Sequence, residues 1–386
     1  MKVLLVVLFS FLFPLECYRL PSKKLSGNRD KWNQLKHFIH AQKFQHSKAQ
    51  SVQSPLTIVD GVIYTVNITI GTPPQQFLVA LDADSSDLII PASSVNNNGI
   101  TNTNTTFNSS ASSTYQFVGN VTNNGQGFEI GQDTVKLGGI GTSQITIPKT
   151  RFLLDINANS FFYYDLGING VLGIAFESLS TTGGAPPLIN AINQGLLSQP
   201  ILTTYLNGQP KEDNLTTGTG GNVVYGGVNT KNCGSSITYH PLSSASYFQI
   251  TLSGISVGNY SISKRYQATV NFEQAILGPL NVLDAIANQV GATPTDVEGI
   301  TYYAIDCNAT IPSLNLKIGS NTYSIDEKNL IWNPYDFNDL CFLRLYSMDN
   351  GGFGPSWVLG LPLIQQYCTV FDLGNKRIGF SPVKNQ

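Results

Sequence analysis

Tyr64-Thr65-Val66-Asn67-Ile68-Thr69-Ile70, Gly71-Thr72-Pro73-Pro74-Gln75-Gln76 and Phe77-Leu78-Val79-Ala80-Leu81 run without a break into Asp82-Ala83-Asp84-Ser85-Ser86. The first segment alternates with period two, the pattern of a strand. The two prolines of the second cannot donate to a ladder and mark a turn. The third is apolar throughout and reads as a resumed strand. It delivers Asp82 at its end, so a carboxylate leaves a core strand and enters a Ser-rich turn. That placement suits the floor of a cleft.

A long-range repeat accompanies this unit. Asn169-Gly170-Val171-Leu172-Gly173-Ile174 is echoed by Trp357-Val358-Leu359-Gly360-Leu361. Asp82 lies 89 positions before Val171, and Asn271 lies 87 before Val358. Two apolar-apolar-glycine strands at matched distances from two loops point to two lobes of one design. Between them, residues 95–127 are rich in Asn, Thr, Ser and Gly and read as exposed loops and a hairpin. Gln132-Asp133-Thr134-Val135-Lys136-Leu137 returns to strand. Helices are predicted from Pro187 to Gln194, stopped by Gly195, and from Leu280 to Gln289, stopped by Gly291.

Charged residues make up only 12% of the 386, and hydrophobic ones 41%. The first value disfavours long surface helices; the second is enough for a real core. Length allows roughly two or three domains. Met1-Lys2 followed by the apolar run Val3 to Phe13, broken only by Ser10, fits a secretory signal peptide and is short for a membrane span. The expected segments are a signal peptide at 1–17, a basic propeptide-like segment at 18–55, an N-terminal β lobe at 56–230 and a C-terminal β lobe at 231–386. Residues 18–50 carry eight Lys/Arg against Asp30 alone, whereas residues 51–386 carry 13 basic and 22 acidic side chains. A basic strap over an acidic body, loosening in acid, is one reading of this asymmetry; a solvated basic tail is the other.

Beyond Cys17 four cysteines remain, Cys233, Cys307, Cys341 and Cys368, which allow three pairings in an oxidising compartment. Seven Asn-x-Ser/Thr sequons, at Asn67, Asn104, Asn108, Asn120, Asn214, Asn259 and Asn308, favour a glycoprotein. Secretion, or delivery to the endomembrane and lysosomal lumen, follows from these signals taken together.

The residues quoted so far resemble the pepsin-like aspartic peptidase family. Ile68-Thr69-Ile70-Gly71-Thr72-Pro73-Pro74-Gln75-Gln76-Phe77 looks like the strand and turn before the first catalytic loop. Asp82 matches the first catalytic aspartate. Gly170-Val171-Leu172-Gly173 and Val358-Leu359-Gly360 match the strands that thread behind the loops. Gln365-Gln366-Tyr367-Cys368-Thr369-Val370-Phe371-Asp372 and Arg377-Ile378-Gly379-Phe380 match the C-terminal strands. The resemblance runs from Ile58 to the end. It implies a mostly β, bilobal fold with a central cleft, disulfides Cys307–Cys341 and Cys233–Cys368, and a shortened propeptide in the basic segment.

Such peptidases hold a water between two carboxylates, one acting as base and the other as acid, because two close carboxylates share a proton. The family motif is Asp-Thr-Gly-Thr/Ser in each lobe. Here the cleft-floor positions read Asp82, Ala83, Asp84 and Ser85 in the first loop, and Asn271, Phe272, Glu273 and Gln274 in the second. Asn271 offers a hydrogen bond to Asp82 but no exchangeable acid or base. Ala83 and Phe272 lack the hydroxyls that lock the loops. Asp84 and Glu273 add side chains where the family has none. No tyrosine occurs from Val118 to Ile130, the flap; Ile89 stands at a tryptophan position, and Leu361 where an aspartate often follows the second repeat.

The sequence therefore reads as a homologue without normal turnover that binds a peptide or protein ligand in the inter-lobe cleft as a monomer. The alternative is an active endopeptidase with altered chemistry through Asp82, assisted by Asp84 or Glu273. Asp82, Asp84 and Glu273 are also hard ligands of the kind calcium takes, or simply a repelling, solvated group; no metal and no cofactor is assigned. His240 has no second histidine in the body for a metal pair. No Ser/His/Asp triad or phosphate-binding Gly motif can be assembled, and the acidic body disfavours nucleic acid. No later stretch is long and apolar enough for stable membrane insertion.

Overall fold

In the computed structural model the alternating stretch forms a strand covered on both faces. Residues 49–93, 106–123, 125–156, 166–208, 218–297, 300–333, 340–348 and 353–384 are described. The segment read as a signal peptide, most of the expected propeptide-like segment, and the sequons at Asn104 and Asn214 lie outside the described residues.

The strands in chain order begin with β1 (Val52–Val59), β2 (Ile63–Ile70), β3 (Gln75–Asp82), β4 (Leu88–Pro91), β5 (Gln116–Asn123), β6 (Gln126–Leu137), β7 (Ile145–Asp155), β8 (Val171–Gly173), β9 (Ile201–Leu206) and β10 (Gly218–Tyr225). They continue as β11 (Thr238–Pro241), β12 (Gln249–Val257), β13 (Tyr260–Ile262), β14 (Tyr266–Val270), β15 (Ile276–Gly278), β16 (Thr293–Val297), β17 (Ile300–Ile305) and β18 (Leu314–Ile318). The last are β19 (Asn321–Ile325), β20 (Ile331–Trp332), β21 (Cys341–Leu343), β22 (Leu345–Ser347), β23 (Trp357–Leu359), β24 (Tyr367–Asp372) and β25 (Arg377–Pro382). Helices α1 (Pro187–Asn193), α2 (Leu280–Val290), α3 (Glu327–Leu330) and α4 (Leu361–Gln366) are short. Helix α2 stops where Gly291 takes φ 77°, as its sequence predicts.

The fold is mostly β and bilobal. A 13-stranded sheet runs β11-β25-β24-β9-β10-β1-β2-β3-β8-β4-β7-β6-β5, and β6 also returns to pair with β2. That second pairing covers Thr69, and Thr65 is buried as well, in spite of the alternation. Thr65 meets its polar requirement by donating to the Thr57 carbonyl at 2.9 Å. An eight-stranded sheet contains β19-β18-β12-β14-β23-β15-β22, with β13 beside β12, and β16-β17-β21-β20 form a third sheet.

The sequence repeat is now a structural one. Strand β8 lies parallel to β3, with Gly173 opposite Asp82, and antiparallel to β4. Strand β23 lies parallel to β14, with Leu359 opposite Val270, and antiparallel to β15. Each apolar-apolar-glycine strand thus threads between the strand that enters a loop and the strand that leaves it. The glycines follow from that crossing. A Cβ at Gly173 would lie 2.5 Å from the Ser86 carbonyl carbon, and one at Gly360 would lie 2.1 Å from the Glu273 carbonyl oxygen. Disulfides join Cys233 to Cys368 and Cys307 to Cys341.

Candidate functional site

Asp82 ends β3 and Asn271 follows β14, so the two threaded units present equivalent side chains. Their local hydrogen bonding is also equivalent. Asp82 Oδ1 accepts from the Asp84 backbone N–H at 2.8 Å, and Asn271 Oδ1 accepts from the Glu273 N–H at 3.0 Å. Both are Asx turns, in which a short side chain caps the backbone two residues on. Asp82 Oδ2 also accepts from the Ser85 hydroxyl at 2.5 Å. Asn271 is 2% exposed.

The loops meet through a different pair from the one the sequence suggested. Asn271 Nδ2 donates to Asp84 Oδ2, rather than to Asp82. The reason is the side chain at Asp84, which fills the position the family leaves as glycine. Although Asp84 is exposed as a residue, its carboxyl is crowded by the floor. Its pKa is pushed up to about 6, mainly by desolvation, then by the charges of Asp82 and Glu273, with the Asn271 hydrogen bond opposing. Among the described residues, neither Asp82, Asp84 nor Glu273 has an ion-pair partner. No group of three or more His, Cys, Asp or Glu among them is placed to hold a metal ion.

The missing locking hydroxyls leave apolar contacts. Ala83 is fully buried. Phe272 stacks on Phe371 with centroids 5.9 Å apart; Phe371 meets Phe248 edge-on at 4.7 Å, and Phe248 meets Phe176 at 5.2 Å. Phe176 N–H donates to the Ser246 carbonyl at 3.2 Å. An aromatic run therefore extends from the second loop to the chain just beyond β8. Glu273 is exposed; its side chain accepts from Gln274 N–H at 3.1 Å, and its carbonyl accepts from Leu361 N–H at 2.7 Å. Leu361 itself is wholly buried.

The flap hairpin β5–β6 shows a matched pair of replacements. Val121 and Ile89 both pack on a small cluster of Phe128, Ile130 and Leu153. Apolar contact thus occupies the place where a tyrosine and a tryptophan were expected. At the hairpin base Tyr115 donates its hydroxyl to Glu129, and burial together with that carboxylate holds the phenol above its usual range.

Sequence reading missed one polar network. Buried Arg344 donates to Gln365 Oε1 at 2.9 Å, Gln365 Nε2 donates to Tyr64 Oη at 2.7 Å, and Tyr64 donates to the Asn207 carbonyl at 2.7 Å. Burial draws Arg344 down to about 10 and pushes Tyr64 up to about 12. Four residues so far apart leave no local pattern; a lone arginine between Leu343 and Leu345 was the one available signal. His240 is structural, its ring Nε2 lying 2.6 Å from Tyr323 Oη. A cavity of about 630 Å³ lies away from the floor, lined by Gly291, Thr293, Asp306, Cys307, Asn308 and Asn333.

Residues 63–383 match the family model described as eukaryotic aspartyl protease. The chain is similar to Aspartic protease 6 of Caenorhabditis elegans, 41% identical over 331 residues that cover 83% of this chain and 81% of that one. It is similar to Cathepsin E of Aquarana catesbeiana at 30% over 405 residues, covering 99% and 98%. Similarity to Pepsin A of Rhinolophus ferrumequinum is 32% over 331 residues, covering 83% and 81%.

Proposed function

The chain belongs to the eukaryotic aspartyl protease family, and from that premise we propose that it is a secreted, monomeric glycoprotein that binds a peptide or protein segment in the inter-lobe cleft without normal peptidase turnover. One observation carries this reading. Asn271 stands where the second carboxylate is required, and both ends of its amide are engaged, with Oδ1 on Glu273 N–H and Nδ2 on Asp84. An amide neither gives nor takes a proton in the working range of a carboxylate pair, and loss of one positioned acid–base group costs about 10²–10⁴ in rate. Ala83 and Phe272 act in the same direction by removing the hydroxyl lock. The two disulfides and the sequons support an oxidising, secretory compartment. The test is peptide hydrolysis across the acidic range beside an Asp82→Ala variant, with hydrogen exchange on a peptide mixture. Absent turnover together with protected cleft loops supports the reading. Native turnover abolished by Asp82→Ala overturns it.

A second reading is favoured by Asp84. Its raised pKa, about 6, keeps its carboxyl protonated near pH 5, beside the Asp82 carboxyl of the same loop. Such a pair could serve an endopeptidase of altered geometry, with Asp82 as base and Asp84 as acid. The same hydrolysis assay decides it, because that chemistry is lost in both Asp82→Ala and Asp84→Asn.

A further inference from the structure

Among the described residues, strand β5 is one edge of the 13-stranded sheet and β11 the other. Such an edge presents unpaired backbone groups, and proteins blunt it with charge, proline, a bulge or a cover. Gln116-Phe117-Val118-Gly119-Asn120-Val121-Thr122-Asn123 contains neither a charged residue nor a proline. Its register is irregular only between Phe117 and Gly119, and from there the ladder to β6 is regular through Asn123. The edge is also apolar: Phe117 is 58% exposed and Val118 38%. A bare, uncharged apolar edge is a site for pairing with a second copy.

The sequon Asn120-Val121-Thr122 lies on this strand. Alternation along β5 turns Val121 into the apolar cluster beneath the flap and leaves Asn120 and Thr122 exposed. Among the described residues the Asn120 side chain makes no hydrogen bond, and the space around Gly119 is open. The remaining described sequons differ. Asn67 lies within the β2 ladder, and a Cβ at Gly139 would sit 3.1 Å from its own Cβ. Asn108 Oδ1 is held by Ser110 N–H and Oγ at 3.1 and 2.7 Å. Asn259 and Asn308 are exposed, but neither lies within a strand: Asn259 sits in the turn between β12 and β13, and Asn308 follows Cys307.

We propose that Asn120 carries an N-linked glycan that covers the apolar β5 edge and keeps the flap hairpin from pairing with a second copy of the chain. This rests on the secretory-glycoprotein reading above. The donor is a lipid-linked oligosaccharide diphosphate. Asn120 Nδ2 loses one proton and forms a bond to the anomeric carbon, and the lipid diphosphate leaves with the bonding pair. The hydrophilic glycan then supplies the cover that β5's own side chains do not.

The test uses the full chain secreted from a glycosylating eukaryotic host. Glycopeptide mass spectrometry reads occupancy at each sequon, and light scattering reads oligomeric state. The expected result is an occupied Asn120 and an unmodified Asn67, with Thr122→Ser retaining the glycan and Thr122→Ala losing it. Asn120→Gln, or enzymatic removal of glycans from the folded native protein, then at least doubles the apparent mass, and Phe117→Lys in the Asn120→Gln background returns it to a monomer. An unmodified Asn120 beside occupied Asn259 and Asn308 overturns the proposal and leaves the glycoprotein reading intact. So does a deglycosylated protein that stays monomeric. No occupied sequon at all overturns both.

Discussion

Asn271 Nδ2 donates to Asp84 and thereby joins two loops that are 187 residues apart in the chain. In a pair of carboxylates the contact between the loops is a shared proton, which can be moved. Here it is an amide hydrogen held by a carboxylate, which stays on nitrogen. The replacement at Asn271 and the addition at Asp84 are therefore physically one change. A carboxylate in Asn271's place would keep the Glu273 N–H but face the carboxyls of Asp84, Asp82 and Glu273 with no amide hydrogen to offer Asp84.

Asp84→Asn is expected to raise stability at neutral pH. Because the folded pKa of Asp84 is about 6 and its ordinary value 3.8, the folded state holds more protons than the unfolded between those limits. Stability then falls as pH rises from about 4 to about 6, is least above that window, and is unaffected by this group below it. Asp84 is exposed as a residue, so solvent screening reduces the effect to on the order of 1 kcal/mol. Tm measured against pH should show the native and variant curves converging towards pH 4 and separating as pH rises to about 6, with the variant higher. Parallel curves would contradict the crowding assigned to this carboxyl.

Asn271→Asp alone is expected not to restore hydrolysis. The new carboxylate loses the amide donor to Asp84 and still meets that residue's side chain in the floor, so water has no symmetric pair to sit between. Combining Asn271→Asp with Asp84→Gly clears the floor, and that double variant should exceed the single one by about 10² in peptide hydrolysis at acidic pH, the low end of what a positioned acid–base group supplies. Initial rates on a mixed peptide library check this. Equal rates for the two variants would shift the blame from Asp84 to the missing hydroxyls at Ala83 and Phe272.

The legible part of this protein was the part written in neighbouring residues. Alternation, the two-proline turn and the paired glycines placed β2, β3 and both threading strands, because strand period and backbone crossing are local demands. The two helices ended where Gly195 and Gly291 indicated. The partner of Asn271 was not legible, since choosing Asp84 over Asp82 depends on how two distant loops approach. The aromatic run from Phe272 to Phe176 and the network from Arg344 to Asn207 escaped for the same reason. The losses at Ile89 and in the flap were readable one at a time. That they share a cluster with Phe128, Ile130 and Leu153 needed the fold.

Gly360→Ala is expected to destabilise the protein by about 3 kcal/mol or to prevent its folding. The added Cβ would sit 2.1 Å from the Glu273 carbonyl and 2.3 Å from that of Ala275, both backbone atoms that no rotamer can move. Overpacking of this kind costs about 1–3 kcal/mol where neighbours can yield, so the upper end applies. Gly195→Ala makes a fitting control: its φ of 66° strains the backbone, yet no atom lies within 4 Å of the new Cβ. Denaturant midpoints should fall much further for the first variant than for the second. Equal losses would show that backbone conformation, not the crossing, fixes the glycine.

Removing Cys233–Cys368 is expected to cost more than removing Cys307–Cys341, by about 1 kcal/mol. The bridges span 135 and 34 residues, and a cross-link stabilises mainly by restricting the unfolded chain, in proportion to the logarithm of the loop it closes. The longer bridge also ties β24, which hydrogen-bonds to β9 within the large sheet, to the chain ahead of β11. The shorter one joins the ends of neighbouring strands β17 and β21, already held by a ladder from Tyr303 to Ile305. Paired Cys→Ser variants unfolded in urea give the comparison. A larger loss at Cys307–Cys341 would mean that native packing around that bridge, rather than loop entropy, sets its contribution.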